Sequence, residues 1–192
     1  MGSWLVASAI TGNPRDRRLV TLAGIVPDVD ALGVVVDVVK TLMSGQEMTF
    51  AYYQKFHHLL LHGWPAAVLV ALGFAALANG RSRVIIGCLI VFHLHLLLDL
   101  LGSRGPTPAD LWPICYSEPF FRHPIWFWRG QWKLDGWQSQ LVFFGVFGVC
   151  LWLAVRRGYS CMEVLSRRFD GVFVNVLRKW AGLGAEKRGD GG

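Results

Sequence analysis

The sequence predicts an all-α integral membrane protein, a helical bundle with about three transmembrane helices. Apolar residues make up 53% of the 192 residues, and the mean hydropathy is +0.40. Three mostly apolar runs, 64–79, 84–101 and 138–155, approach the length that spans a bilayer. Tryptophans and arginines flank these runs, as is typical of membrane interfaces. A very apolar soluble bundle would show similar runs, but the flanking residues favour the membrane.

The other segments complete a single helical membrane domain over residues 1–182. The apolar segment 19–39 is broken by PDVD, so we expect two short helices joined there. Residues 102–136 form a long aromatic loop, which at that length is usually functional or wraps the fold. We expect 183–192 to be a disordered tail. The start of the chain lacks the basic region of a cleavable signal peptide.

The charge of +6 lies in clusters beside the apolar runs, which is the positive-inside pattern rather than a nucleic-acid surface. The rule places the arginines of 80–83 and the basic tail in the cytoplasm, where the tail offers a site for a protein partner. The start of run 64–79, the end of run 84–101 and loop 102–136 then lie together on the non-cytoplasmic side. Arginines at 15, 17 and 18 conflict with this orientation. Four scattered cysteines predict neither a disulfide framework nor a structural zinc site.

The run 92–101, FHLHLLLDLL, places polar side chains among leucines, where they are costly to bury. In a helix, His95 and Asp99 are one turn apart on the same face, so both can bind one metal ion. His93 points to another face. The alternative is a buried His–Asp pair that satisfies its own hydrogen bonds.

A second polar group precedes the first long apolar run. His58 and His62 are four residues apart, a spacing that brings two histidines together on a helix, and His57 is the other candidate. The alternative is an amphipathic approach to the membrane.

A third group is the IVPDVD segment. Asp28 and Asp30 can both reach a cation from a non-helical turn. The alternative is that one of them caps the following helix.

Taken together, these groups predict a metal site made by segments distant in sequence. A mixed set of histidines and aspartates suits zinc, with manganese or iron as alternatives. A metal held this way acidifies a bound water, which then attacks an ester or phosphoester. The predicted metal ligands are Asp28, Asp30, His57 or His58, His62, His95 and Asp99.

The aromatic loop has its own candidates. His123, Arg122 and Arg129 can hold an anionic headgroup or phosphate, and Glu118 is a candidate base. The alternative is an aromatic belt at the bilayer surface.

The order of these motifs resembles the bacterial membrane-bound metal-dependent hydrolases, a family described as LexA-binding and inner-membrane-associated. Asp28 and Asp30 match the family's PDxD, His57 and His62 its HRxxTHS, His95 and Asp99 its HxxxD, and Gly105, Trp112 and Pro113 its G…WP. His58 stands where the family has arginine, so family spacing favours His57 and helical spacing favours His58. The pattern is also distantly similar to helical zinc phospholipases C and single-strand nucleases, which hydrolyse phosphoesters.

The resemblance implies a membrane-embedded hydrolase that uses a divalent metal and takes a small-molecule or lipid-like ester or phosphoester. Two alternatives have other functions. One is a non-catalytic membrane protein with a structural metal or none, and the other is an ion transporter. Ligands gathered at one end of three spans disfavour a path through the membrane.

Overall fold

The structure is a computed structural model that describes residues 1–49, 51–56, 61–121 and 123–183. Within these residues the chain forms eight α-helices, two 3₁₀ helices and one two-stranded sheet. The α-helices are α1 (Gly2–Ile10), α2 (Pro14–Ala23), α3 (Gly33–Ser44), α4 (Ala51–Phe56), α5 (Trp64–Leu77), α6 (Arg81–Gly102), α7 (Trp137–Arg157) and α8 (Arg167–Trp180). The 3₁₀ helices are Pro27–Leu32 and Cys161–Val164, and the strands are β1 (Ile114–Cys115) and β2 (Ile125–Trp126).

Helices α5 and α6 form an antiparallel hairpin at the centre of the fold. The turn between them is held by the buried Asp16 of α2, whose carboxylate accepts hydrogen bonds from the amides of Asn79 and Gly80, both at 2.9 Å. Because the hairpin is antiparallel, the start of α5 and the end of α6 lie at the opposite end of the bundle from this turn. His62, His95 and Asp99 are found at that end.

Helices α1 and α2 pack against α6 through small residues. A Cβ at Gly87 would lie 2.8 Å from a methyl group of Val20, so glycine allows this close approach. Ala7, Val20, Val84, Cys88 and Val91 form part of the resulting buried core. These contacts position α2, and therefore the segment that follows it, along α6.

Among the described residues, two helices are long and apolar enough to cross a membrane, α6 with 22 residues and α7 with 21. Only 11% of the central part of α7 is buried, so its apolar side chains face outward. Helix α5 is shorter than the expected span, since 14 residues extend about 21 Å against a hydrocarbon core of about 30 Å. A third span is reached when α2 and the segment Pro27–Ser44, bent by 55°, are counted as one broken helix. The prediction of an all-α membrane bundle with about three spans is therefore confirmed, although α5 is not one of the counted spans.

The predicted break at PDVD is present as the 3₁₀ helix Pro27–Leu32. Proline has no amide hydrogen to donate, so a continuous helix is disfavoured at this position. The predicted disordered tail falls largely on residues 184–192, outside the described residues.

The aromatic loop is fastened to the end of α6. The amide of Trp132 donates to the carbonyl of Leu101 at 3.0 Å, and the amide of Arg104 donates to the carbonyl of Trp132 at 3.3 Å. The buried Gln131 side chain bonds both the amide and the carbonyl of Trp112, at 2.9 and 2.8 Å. Strands β1 and β2 pair antiparallel, with Ile114 opposite Trp126. The loop is thus folded over the end of the bundle that carries the polar groups.

A buried ion pair between Arg17 and Glu163 joins α2 to the 3₁₀ helix Cys161–Val164. Glu163 accepts from the guanidinium of Arg17 and from the indole of Trp4, the latter at 3.1 Å. Arg17 also lies over the ring of Tyr159, 3.7 Å from its centroid. This pair fixes the C-terminal segment against α1 and α2.

Candidate metal centre

The two aspartates of the PDVD segment point in different directions. In a 3₁₀ helix, with three residues per turn, side chains two positions apart lie on different faces. Asp30 is buried and accepts hydrogen bonds from Nδ1 of His62 at 3.0 Å and from the amide of Leu61 at 3.4 Å. The Asp28 side chain is 57% exposed, and its Oδ1 lies 3.4 Å from Nε2 of His95.

The tighter winding of the 3₁₀ helix also supplies a backbone acceptor. In an α-helix the carbonyl of Gly24 would accept from the amide of Asp28, but here that amide donates to Ile25 at 3.2 Å. The Gly24 carbonyl instead accepts from Nδ1 of His95 at 3.1 Å. The helix break therefore orients a histidine on a different helix.

Helix α6 contributes His95 and Asp99, as their spacing predicts. Nε2 of His95 lies 3.2 Å from Oδ2 of Asp99, one helical turn away. His93 faces elsewhere, with its Nε2 2.7 Å from the hydroxyl of Tyr116. Only one of the two histidines of this run therefore belongs to the cluster.

His62 lies in the bend just before α5 and is buried. Its Nδ1 contacts Asp30, and its Nε2 lies 3.5 Å from Oδ2 of Asp99. The rings of His62 and His95 have centroids 5.7 Å apart. His57 and His58, the other candidates of this segment, lie outside the described residues.

Four side chains from three segments thus direct ligand atoms towards a common point. The distances from His62 to Asp99, His95 to Asp99 and His95 to Asp28 are 3.5, 3.2 and 3.4 Å. Ligand atoms about 2.0–2.1 Å from a tetrahedral zinc ion lie about 3.3–3.4 Å from one another. One ligand atom each from Asp28, His62 and His95 also lies within 4.8 Å of the others. These three side chains could hold a single divalent ion, and Asp99 contacts both histidines beside them.

Both histidines have the supporting contacts that metal ligands usually have. A metal-binding histidine donates its other ring N–H to a carboxylate or a backbone carbonyl, which fixes the tautomer. Asp30 accepts that hydrogen from His62, and the Gly24 carbonyl accepts it from His95. When neutral, each imidazole then presents the lone pair of Nε2 to the common point. For His95 this atom lies 3.2 Å from Oδ2 of Asp99 and 3.4 Å from Oδ1 of Asp28.

A proton is the competitor of a metal ion at these atoms. Burial lowers the pKa of His62, but hydrogen bonds to Asp30 and Asp99 and their charges outweigh burial and leave the pKa raised. Without a cation, several carboxylates would face neutral imidazole lone pairs, which is unfavourable. The cluster is therefore built for positive charge, either as protons or as a metal.

A cavity of about 380 Å³ opens beside the cluster. Its walls include Asp28, Tyr53, Asp99, Ser103, Arg104, Gly105 and Trp112. Burial, together with the charges of Asp28, Asp99 and Asp30, raises the pKa of Tyr53, so its hydroxyl stays protonated and can donate a hydrogen bond. Sequence reasoning missed Tyr53, Ser103 and Arg104, because a single polar residue without a spacing pattern gives no signal.

The described phosphate-binding and base candidates of the aromatic loop lie outside this cavity wall. Glu118 is a buried residue of the aromatic loop, and its amide donates to the carbonyl of Cys115 at 3.1 Å. His123 and Arg129 do not line the cavity among the described residues, and Arg122 is outside them. Gly105 and Trp112, which carry part of the family resemblance, do line it.

Comparison with known proteins gives one family. The sequence model of the YdjM inner membrane protein family matches residues 1–161. No curated protein and no solved structure shows a significant match to the chain. The match confirms the expected inner membrane family, and it leaves the hydrolase activity and LexA binding implied by the resemblance as predictions.

Proposed function

The chain belongs to the YdjM inner membrane protein family, and from that premise we propose that it is a membrane-embedded, metal-dependent hydrolase of esters or phosphoesters. The observation that carries the proposal is the convergence of His62, His95 and Asp99, with both imidazoles held in one tautomer by Asp30 and Gly24. A cluster that served only helix packing would not need this orientation of both rings.

Each residue has a distinct role in the proposed site. His62, His95 and Asp99 are the buried or half-buried ligands, and Asp28, at the exposed side, is the fourth. Asp30 and the Gly24 carbonyl position the two imidazoles. Tyr53 donates a hydrogen bond towards a group bound in the cavity.

The donor set suits zinc, because imidazoles and carboxylates are common zinc ligands and no thiolate joins Asp28, His62 and His95 in the described part of the chain. Manganese and iron accept the same donors. When bound, the metal would acidify a water and polarise the ester or phosphoester that it attacks. The cavity beside Asp28 and Asp99 gives the substrate access to that position.

The expected orientation places the site on the non-cytoplasmic side. Two arginines, Arg81 and Arg83, lie at the start of α6, and a basic tail follows α7. The positive-inside rule keeps both in the cytoplasm, and the site lies at the other end of α6.

The experiment is a metal measurement on purified protein. The chain is expressed without a histidine tag, purified in detergent and analysed for metal by mass spectrometry. We expect about one divalent ion per chain in the wild type and a loss of the ion in His95→Gln. His93→Gln is the matched control, because His93 is on the same helix two residues away and outside the cluster.

The outcomes separate the three functions. Absence of metal in the wild type, or full retention in His95→Gln, refutes the proposal. Bound metal without hydrolysis of any ester or phosphoester in a broad panel supports a structural metal instead. Metal uptake into vesicles reconstituted with the protein would support a transporter.

A further inference from the structure

Two cavities meet at the candidate metal centre. The first, of about 380 Å³, is the polar one beside Asp28 and Arg104. The second, of about 340 Å³, is mostly apolar and lies between α6 and α7. Asp99, Ser103 and Leu134 line both cavities. A ligand that reaches the cluster can therefore occupy both.

Arg104 contributes a cation to the wall of the polar cavity. Its backbone is held on both sides, because its amide donates to Trp132 at 3.3 Å and its carbonyl accepts from Leu134 at 3.1 Å. Its Nε is buried, and no hydrogen bond from the described residues engages that atom. The charge acts weakly on the exposed Asp110, whose pKa is lowered mainly by hydrogen bonds from Thr107.

A guanidinium held in this way favours a phosphate over a neutral ester. Arginine presents a fork of N–H donors that matches two phosphate oxygens, and such charge-assisted bonds are stronger than neutral ones. A carboxylic ester carries no charge that would compensate the partly buried guanidinium.

The apolar cavity opens along the two helices that are long enough to cross the membrane. Leu98 and Gly102 of α6 face Val142, Phe143 and Val146 of α7 across it. Helices of this length and hydropathy lie in hydrocarbon, and Asp99 is one of the residues that line the cavity between them. Its volume lies within the range of about 300–1,000 Å³ that is usual for ligand pockets.

We infer that the site takes a phosphate-bearing amphiphile, with the anionic phosphate held by Arg104 and the hydrocarbon tail between α6 and α7. This inference rests on the proposed function and names its substrate class. A smaller soluble phosphodiester would make the same phosphate contact without a tail. The contribution of the tail to binding therefore distinguishes a membrane lipid from such a soluble ligand.

The test measures binding to zinc-loaded protein in detergent by calorimetry. Three probes separate the two parts of the ligand. Dihexanoyl phosphatidylglycerol has phosphate and tails, dimethyl phosphate has phosphate alone, and dihexanoylglycerol has tails alone. We expect the first to bind most tightly.

Variants of Arg104 test the phosphate contact. Arg104→Gln should weaken both phosphate probes about ten- to a hundredfold, as expected for loss of hydrogen bonds to a charged group, and leave dihexanoylglycerol unchanged. Arg104→Lys, which keeps the charge, should bind with intermediate affinity. Lys133→Gln is the matched control, because Lys133 is a neighbouring cation that lies outside this cavity wall and 3.9 Å from Asp135.

A tryptophan scan tests the tail. Val142→Trp should fill the apolar cavity and weaken both tailed probes, while dimethyl phosphate binding stays unchanged. Leu141→Trp is the control, since Leu141 is its exposed neighbour on α7 and does not line the cavity.

Each result decides the inference. Equal phosphate binding by wild type and Arg104→Gln, or failure of the phosphatidylglycerol probe to bind, overturns it. The proposed function still stands in that case if the protein binds metal and hydrolyses an ester or phosphoester of the panel. Equal affinity for dimethyl phosphate and the lipid probe, unaffected by Val142→Trp, refutes the tail site and points to a soluble phosphodiester. A wild type that holds no metal refutes the proposed function and this inference with it.

Discussion

Removing the carboxylate charge of Asp30 tests whether this buried residue orients a metal ligand. Asp30 accepts from Nδ1 of His62 at 3.0 Å and from the amide of Leu61 at 3.4 Å. Both donors contact Oδ2, so in Asp30→Asn the amide oxygen can still accept from both, but a neutral amide oxygen is a weaker acceptor than a carboxylate oxygen. The ring of His62 is then held less firmly, and His62 loses the negative charge that makes Nε2 a stronger ligand.

The expected effect follows from similar supporting contacts at metal sites. Removal of such a partner weakens metal affinity about 10- to 100-fold, or about 1.4–2.8 kcal/mol. The protein in detergent would be titrated with zinc against a coloured chelator of known affinity. Asp99→Asn, which changes a proposed ligand itself, should cause a larger loss.

The matched control is Asp16→Asn. Asp16 is also buried and also accepts two hydrogen bonds, but it holds the turn at the other end of the α5–α6 hairpin. The Asp16→Asn substitution should lower the stability of the protein and leave its zinc affinity unchanged. If Asp30→Asn bound zinc as the wild type does, or if Asp16→Asn lost as much affinity, the positioning role of Asp30 would be refuted.

Three further predictions concern the same structure. Removal of the metal by a chelator should lower the midpoint of thermal unfolding in detergent, since an ion at 100 times its Kd stabilises the folded state by about 2.7 kcal/mol; an unchanged midpoint would contradict a metal in the folded protein. Gly24→Ala should weaken zinc affinity, because its Cβ would lie 2.0 Å from Oγ of Ser3 and displace the carbonyl that orients His95, whereas Gly73→Ala, with open space around it, should have no effect. Glu163→Gln should destabilise the protein by about 3–5 kcal/mol in denaturant titration, because it leaves the charge of Arg17 buried without its partner. Zinc affinity at low denaturant should be retained. A loss of zinc affinity in this variant would show that the ion pair and the metal site are coupled.

Local patterns in the sequence predicted the parts of the site that depend on helix periodicity. The four-residue spacing placed His95 and Asp99 on one face of α6, and the two-residue spacing turned His93 away from them. Both follow from 3.6 residues per turn. The same periodicity says nothing about which other segment packs against that face.

The pairings between segments needed the structure. Topology placed the start of α5 and the end of α6 at the same end of the bundle, but the contacts of Asp30 with His62 and of Asp28 with His95 depend on how PDVD winds. From the sequence, both aspartates were predicted to be metal ligands. In the structure Asp30 is buried and contacts His62, whereas Asp28 is exposed and contacts His95. Arg104 was not recognised because its position depends on how the aromatic loop folds over α6.

Hydropathy alone also overestimated α5. The apolar run 64–79 was predicted to be a span, but the helix covers only Trp64–Leu77. The chain then enters the turn at Asn79 and Gly80 that Asp16 holds, so the helix cannot continue across the membrane.

The break at GIVPDVD shows how one local conflict in the sequence produces several features of the site. Pro27 cannot donate to an α-helical carbonyl, and the chain continues in a 3₁₀ helix whose hydrogen bonds skip the carbonyl of Gly24. That carbonyl fixes the ring of His95, while the same winding sends Asp28 towards His95 and Asp30 towards His62. A regular helix through this segment would satisfy its own backbone and leave both imidazoles without their present partners. The proline is therefore a determinant of the site although it contributes no ligand atom.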